Sequence, residues 1–187
     1  MSCMRVVSGE LRGRRIESPH GDATRPTTDK VREAVFNALG STGLLVDAVV
    51  VDLFAGTGAM GIEALSRGAS RCIFVERDSK ALEVLRRNLD TLGLGSRSEI
   101  VAGDAMAAAS RAADIVIADP PYGFDAWDRL LGSVTAGFAV IEADTPVGPP
   151  HGWETVRERR YGRTHVTFLA RGDAPRNPGD GDTVEAR

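Results

Sequence analysis

Two short stretches of this 187-residue chain carry residue types spaced for chemistry. The first is Asp119-Pro120-Pro121-Tyr122, which ends the apolar run Ile115-Val116-Ile117-Ala118. Two consecutive prolines fix φ and remove two backbone donors, so local carbonyls face outward. The Asp119 carboxylate and the Pro120 carbonyl can then accept hydrogen bonds from an amino group and orient its lone pair. Tyr122 adds an aromatic face on which a planar base can stack. The plainer alternative is a rigid turn with a tyrosine cover. The second stretch is Asp52-Leu53-Phe54-Ala55-Gly56-Thr57-Gly58-Ala59-Met60-Gly61, set between the apolar run Ala48–Val51 and a helical pattern beginning at Ile62. Gly56, Gly58 and Gly61 fit G-x-G-x-x-G, and Glu76 lies twenty residues past Gly56. On those facts alone a dinucleotide site, and with it a dehydrogenase, is possible.

Asp52 argues against that reading. A dinucleotide loop receives a pyrophosphate at a helix N-terminus, and a carboxylate ending the preceding strand would repel it. A ligand with a cationic head inverts the argument. S-adenosylmethionine carries an ammonium and a sulfonium, which Asp52 can attract directly or through water. Its methyl group is already electrophilic, so positioning is most of what a protein must add. Gly56 and Gly58 are expected to let the backbone approach the ligand. Glu76 has two acceptor oxygens for paired ribose hydroxyls. Asp104 can accept from an adenine amine, with Ala105 beside the ring. Singly, Glu76 also reads as a surface acid and Asp104 as a helix N-cap. Together, three acids ending three successive strands fit one adenosyl ligand laid across a sheet edge.

The elements that must hold these residues follow from periodicity. Strands are predicted at 48–53, 71–76, 98–102, 114–118 and 137–142, and helices at 58–67, 79–92, 105–110 and 126–132. Repeated βα units with apolar strands give an α/β, doubly wound, mostly parallel sheet with ligands at the strands' carboxyl ends. Met4–Val7 and Arg14–Glu17 are expected to pair as a small N-terminal hairpin outside that sheet. A helix follows, with Thr28 as N-cap, Val31, Val35, Ala38 and Leu39 packing inward, and Gly40 and Gly43 at its end. Thr155–Arg160 and Thr164–Ala170 read as a C-terminal antiparallel hairpin. Residues 1–171 then form one domain, of which 1–45 are an N-terminal extension. The Gly-, Pro- and Asp-rich stretch 172–187 is expected to be a disordered tail.

Composition sets outer limits. No apolar run approaches the roughly 18 residues of a membrane span, and the N-terminus has no secretory h-region. Cys3 and Cys72 form no CxxC pair, so no disulfide framework, no metal and a reducing cytoplasm are expected. Cys72 reads as a small core residue. The net charge of −3 argues against a nucleic-acid binder, but the basic residues are clustered. Arg5, Arg12, Arg14, Arg15, Arg25, Lys30 and Arg32 crowd the first segment, and Arg157, Arg159, Arg160 and Arg163 a late one. The two clusters could form one basic face if the chain ends meet.

Asp52–Gly61, Glu76, Asp104 and Asp119–Tyr122 resemble the ordered motifs of class I S-adenosylmethionine-dependent amino-methyltransferases. Val7-Ser8-Gly9-Glu10-Leu11-Arg12-Gly13-Arg14 and the run Arg25-Pro26-Thr27-Thr28-Asp29 through Asn37 are narrower. They resemble the bacterial family that methylates guanine N2 in 16S ribosomal RNA, as does Arg160-Tyr161-Gly162-Arg163-Thr164. The resemblance covers residues 4–170; the stretch 143–154 and the tail lie outside its pattern. It implies methyl transfer to one guanine of the small-subunit RNA, unstacked to reach the pocket, with 16S RNA, the 30S subunit or an assembly intermediate as partner. Nothing in the sequence demands more than a monomer, and the cytoplasm is expected from the cysteines. Asp119, Pro120, Pro121 and Tyr122 would be catalytic. Asp52, Phe54, Ala55, Gly56, Gly58, Glu76, Arg77, Asp104, Ala105 and Thr27 would hold the cofactor, and Asn37 would face either cofactor or solvent. Arg12, Arg14, Arg15, Arg25 and Arg32 would contact phosphates. Competing readings are a DNA adenine or protein amide methyltransferase and a non-catalytic RNA-binding or ribosome-assembly factor.

Overall fold

In the computed structural model, residues 3–18 and 29–172 are described. The expected Thr28 cap, Arg25, Thr27 and the tail beyond 172 fall outside them. Strands β1 (Cys3–Arg5) and β2 (Arg15–Glu17) form a separate antiparallel pair. Helix α1 (Asp29–Thr42) leads to β3 (Val49–Leu53), α2 (Ala59–Ser66), β4 (Arg71–Glu76), α3 (Ser79–Leu92), β5 (Ser98–Ala102), α4 (Ala105–Ala108), β6 (Ile115–Ala118), α5 (Trp127–Ser133) and β7 (Phe138–Ala143). Strands β8 (Trp153–Tyr161) and β9 (Thr164–Arg171) close the chain. Gly40 lies inside α1 rather than ending it, and the left-handed residue past the helix is Gly43.

The main sheet has seven strands in the order β5-β4-β3-β6-β7-β9-β8. β3 to β7 are parallel, and β9 runs antiparallel between β7 and β8. The C-terminal hairpin is therefore not an appendage; it extends the sheet. The chain winds outward from β3 through β4 to β5 and then crosses back to β6 on the other side of β3, so a crevice opens there at the carboxyl ends.

Side chains alternate across a strand, and here the alternation sorts both core and site. Val50, Cys72, Phe74, Ile115 and Ile117 face α1, α2 and α3 through Phe36, Leu65 and Leu85. Val51, Leu53, Val75, Val116 and Ala118 face α4 and α5 through Ala108, Trp127 and Leu131. Asp52 sits between two residues of the second set, and Glu76 and Asp119 each follow one. The same period therefore turns all three acids to the α1–α3 side. Cys72 is buried in that core as expected, and burial pushes its thiol well up.

The segment after β1 is fastened to α2. Glu63, fully buried in α2, accepts from Val7 N (2.8 Å), Ser8 N (3.0 Å) and Arg67 Nε (2.7 Å). Arg32 Nε lies 3.4 Å from the same carboxylate, and both side chains are 0% exposed. Arg32 also donates to Asp29 Oδ1 and to the Arg5 carbonyl. Arg32 thus spends its charge inside the fold, which overturns the expectation that it contacts phosphate. Removing one partner of such a pair strands the other charge in a low-dielectric core. Glu63→Ala should lower stability by about 3–5 kcal/mol and expose residues 3–18 to hydrogen exchange; urea denaturation with exchange mass spectrometry measures both.

Candidate active site

The carboxyl ends of β3, β4, β5 and β6 surround one cavity of about 480 Å³, within the range of small-molecule sites. Asp52, Phe54, Ala55, Gly56, Glu76, Arg77, Asp104, Ala105, Asp119, Pro120, Pro121 and Tyr122 all line it. The two sequence stretches thus form facing walls of a single space.

The glycine turn is built around Asp52. Its Oδ2 accepts from Gly61 N at 2.8 Å, tying the end of β3 to the first turn of α2. Glu76 organises the same turn from the next strand: Oε2 accepts from Gly56 N, and Oε1 from Arg77 N and Asp78 N, each at 2.8 Å. These bonds take about three of the carboxylate's roughly four acceptor sites, so it is oriented before any ligand arrives. Asp104 combines both of its sequence readings. Oδ1 caps α4 by accepting from Met106 N (2.8 Å), while Oδ2 lies 3.8 Å from Arg77 Nη1 at the cavity edge.

Gly58 has a different job from the one expected. A Cβ there would stand 2.4 Å from Leu85 Cδ1 and 3.3 Å from Phe74 Cε1, inside the core, and Gly58 does not line the cavity. Its absent side chain serves helix packing. Gly56 has no atom within 4 Å of the equivalent position, so it alone of the two leaves room on the ligand side. Asn37 is also displaced from the site: its Oδ1 accepts from Arg67 Nη1 at 2.9 Å.

Phe54 adopts φ 63°, left-handed for a residue with a Cβ, at a cost on the order of 1–3 kcal/mol. Its ring meets Phe124 edge-on at 5.5 Å, and Phe124 meets Trp127 at 4.9 Å. This aromatic chain joins the turn after β3 to the segment after Tyr122, so the cofactor-side and acceptor-side walls share one support. Met4, Ser18, Thr57, Ala59, Met60 and Gly103 also line the cavity and were not singled out in the sequence. Met4 and Ser18 enter through the docked N-terminal hairpin, which no local spacing announces. Thr57, Ala59 and Met60 follow directly once the turn is known to wrap the ligand.

Asp52 is 3% exposed and its pKa is raised from 3.8 to about 7. Burial is the main cause; the Gly61 bond opposes it, and the nearby Asp119 and Glu76 charges add to it. Asp52, Glu76 and Asp119, converging on one cavity, are electrostatically mismatched when alone and matched to a cationic ligand. The arrangement fits the ammonium and sulfonium of S-adenosylmethionine and disfavours a pyrophosphate. Among the described residues no group of three His, Cys, Asp or Glu side chains is placed to hold a metal, and no helix is long and apolar enough to cross a membrane.

The solved structures on which the chain superposes carry the same architecture. One is "Putative methyltransferase yhhF from Escherichia coli", with a TM-score of 0.79 and 32% identity over 91% of this chain and 98% of that one. Another is the putative methylase HI0767 of Haemophilus influenzae, with a TM-score of 0.74 and 26% identity over 91% and 99%. Fold and cavity define a class I, S-adenosylmethionine-dependent methyltransferase. Within that class, residues 4–170 match the model of the family described as "Conserved hypothetical protein 95", and the chain belongs to that family. It is similar to "Putative rRNA methyltransferase YlbH" of Bacillus subtilis, 41% identical over 88% of this chain and 97% of that protein. It is also similar to "Ribosomal RNA small subunit methyltransferase D" of Escherichia coli K12, 40% identical over 64% of this chain and 60% of that protein.

The Asp52 environment gives a pH signature. With a pKa near 7 in the free protein, Asp52 is largely protonated at pH 6 and must ionise to pair with a cation. Affinity for S-adenosylmethionine should rise from pH 6 to pH 8 and level off above the free-state pKa, with proton release on binding at the acid end. Asp52→Asn should flatten that profile and weaken binding about tenfold or more. Calorimetry in buffers of different ionisation enthalpy reads both effects.

Proposed function

We propose that this protein transfers the methyl group of S-adenosylmethionine to the exocyclic N2 of a specific guanine in 16S ribosomal RNA. The observation that carries the reading is the position of the Asp119–Tyr122 turn: it ends β6, next to β3, and walls the same cavity as Asp52, Glu76 and Asp104. Amino acceptor and methyl donor would therefore meet in one enclosure. The RNA assignment is supported by the names of relatives about 40% identical to this chain and by the resemblance of its N-terminal segments.

Bound S-adenosylmethionine supplies an electrophilic methyl, its S–C bond breaking as the new N–C bond forms. The chain's own work is placement. The Asp119 carboxylate and the Pro120 carbonyl accept the two amino hydrogens and aim the nitrogen lone pair across the cavity. Pro121 keeps the turn rigid, and Gly123 N donates to Asp144 Oδ2 (3.4 Å) just beyond it. Tyr122, 64% exposed, stands at the mouth, where an unstacked base can lie against its ring. Asp119 need not be a strong base, because the surplus proton can leave after transfer. On the cofactor side, Asp52 meets the cationic end, Glu76 the ribose and Asp104 the adenine amine, with Phe54, Ala55, Gly56, Arg77 and Ala105 completing the wall. Thr27 and Arg25, outside the described residues, retain their proposed roles at the methionine end and on phosphate.

The partner would be the small subunit or an assembly intermediate, met in the cytoplasm by a monomer. The same turn admits an adenine N6 or an amide nitrogen, so the acceptor must be tested directly. Labelled S-adenosylmethionine with under-methylated 30S particles, naked 16S RNA, DNA and protein should label the ribosomal RNA, and mass mapping should find one methylated guanine. Label on DNA or protein instead would sink the reading. Asp119→Ala should lower the rate about a hundredfold or more while S-adenosylmethionine still binds.

A further inference from the structure

Among the described residues, Arg12 and Arg14 of the first basic cluster do not meet the late one. The tip of the N-terminal hairpin lies at the amino ends of the strands: Leu11 N donates to Ser66 Oγ at the end of α2, and Arg14 Nη2 to the Thr91 carbonyl near the end of α3. Arg12 and Arg14 therefore stand at the end of the sheet away from the cavity. The late cluster is at the other end. β8 is antiparallel to β9, which is antiparallel to β7, so β8 runs in the same direction as β3 to β7. Its carboxyl end and the turn before Thr164 emerge beside the Asp119 turn.

Register fixes how close. Ala118 pairs with Ile141, Ile141 with Thr167, and Thr167 with Glu158. One residue on, Asp119 stands level with Glu142, Val166 and Arg159. Cross-strand partners share a face. Arg159 pairs with Val166 and Arg157 with Phe168, and both partners belong to the α1–α3 side on which Asp119 opens. Three strand spacings of about 4.8 Å place the Arg159 backbone roughly 14 Å from Asp119. Arg160, still within β8, pairs with His165 on the opposite face and donates to the Gly162 carbonyl, and Arg163 lies in the turn beyond the strand.

Several arginines elsewhere in the fold are held in ion pairs. Arg71 and Arg111 pair with Glu99, Arg87 with Glu17, and Arg67 with Glu63. Arg157, Arg159, Arg160 and Arg163 are exposed and make no ion pair among the described residues. Arg159 and Arg160 reach only backbone carbonyls, of Glu158 and Gly162. Glu158 projects to the opposite face and lies 3.6 Å from His165 Nδ1. The chain is acidic overall at −3, yet it leaves four cations unneutralised on one edge, at the catalytic end.

We propose that Arg157, Arg159, Arg160 and Arg163 form a phosphate-binding rim that holds the RNA strand flanking the target nucleotide, on the side of Asp119 opposite the cofactor cavity. The assignment rests on the RNA-methyltransferase reading above. A strand laid along this rim places phosphates on β8 and its turn while one base swings in to Tyr122 and Asp119. The rim contacts backbone alone, so it contributes affinity and register without choosing the base. The bulge between Thr155 and Arg157 bends this edge, which keeps it from pairing with another strand and leaves its face open to RNA.

The test compares the full-length protein with a variant carrying Gln at all four positions, using naked 16S RNA and 30S particles over a salt series. The variant should raise KM for RNA about tenfold or more, leave kcat within about twofold, and leave S-adenosylmethionine affinity unchanged. Its salt dependence should be shallower, by roughly 0.7 in the log–log slope per lost contact to single-stranded RNA. A matching four-Lys variant should recover most of the affinity. Arg159→Gln and Arg163→Gln alone, each expected to raise KM severalfold, serve should the fourfold variant misfold. An unchanged KM and slope beside an active wild type would overturn the rim and leave the activity standing. A wild type that methylates no RNA in either form would overturn the activity, and the rim with it.

Discussion

The close approach of α2 to β3 and β4 is the constraint from which the rest of the structure follows. A Cβ on Gly61 would stand 2.3 Å from Phe74 Cε1 and 2.6 Å from Cys72 Sγ, so only glycine lets the helix settle that deeply. The depth brings the Gly61 N–H within 2.8 Å of Asp52. A carboxylate sealed in that position is costly unless it is hydrogen-bonded, and the helix's first turn supplies the donor. The same bond closes the glycine turn, and Glu76 takes the Gly56 N–H within it. Packing of apolar residues thus sets the position of two of the site's acids, Asp52 and Glu76.

Buried charge does a second job away from the cavity. α2 is apolar along almost its whole length, yet Glu63 stands in its middle with no exposure. Two backbone N–H groups of the N-terminal segment, Arg67 and Arg32 satisfy it. Nonpolar residues at these positions could pack as stably. What the charges add is a definite address: the segment around Val7 and Ser8 can dock in one place only, and Met4 and Ser18 reach the cavity wall as a result. The family-specific N-terminus and the class-wide sheet are joined through this carboxylate.

Much of this could be read in the sequence because it is local. The alternation of βα units, the ends of β4, α3 and β5, and the acids at successive strand ends follow from periodicity and turn chemistry within a few residues. The misreadings concern partners distant in the chain. Arg32 looks like a surface arginine in a basic run; its buried partner lies 31 residues away in α2. Gly58 looks like a ligand glycine because the fingerprint places one there, whereas Leu85 and Phe74 decide its role. The C-terminal strands were legible as a hairpin, but nothing in their own residues says that β9 pairs with β7. One acid in an otherwise apolar helix was the available signal for Glu63.

That last pairing matters most for recognition. Had the hairpin stood apart from the sheet, its arginines would have had no fixed relation to Asp119. Hydrogen-bonded to β7 along six residue pairs, it becomes part of the rigid body that carries the cavity, and its charge is held in register with the acceptor turn. Electrostatic attraction of RNA to an acidic protein depends on local arrangement rather than net charge. Around the cavity the acids face inward to a cationic cofactor, while on the adjoining edge arginines face outward. With RNA on that edge as proposed, opposite signs would lie on the two sides of the Asp119 turn, and the turn would present one ligand to the other.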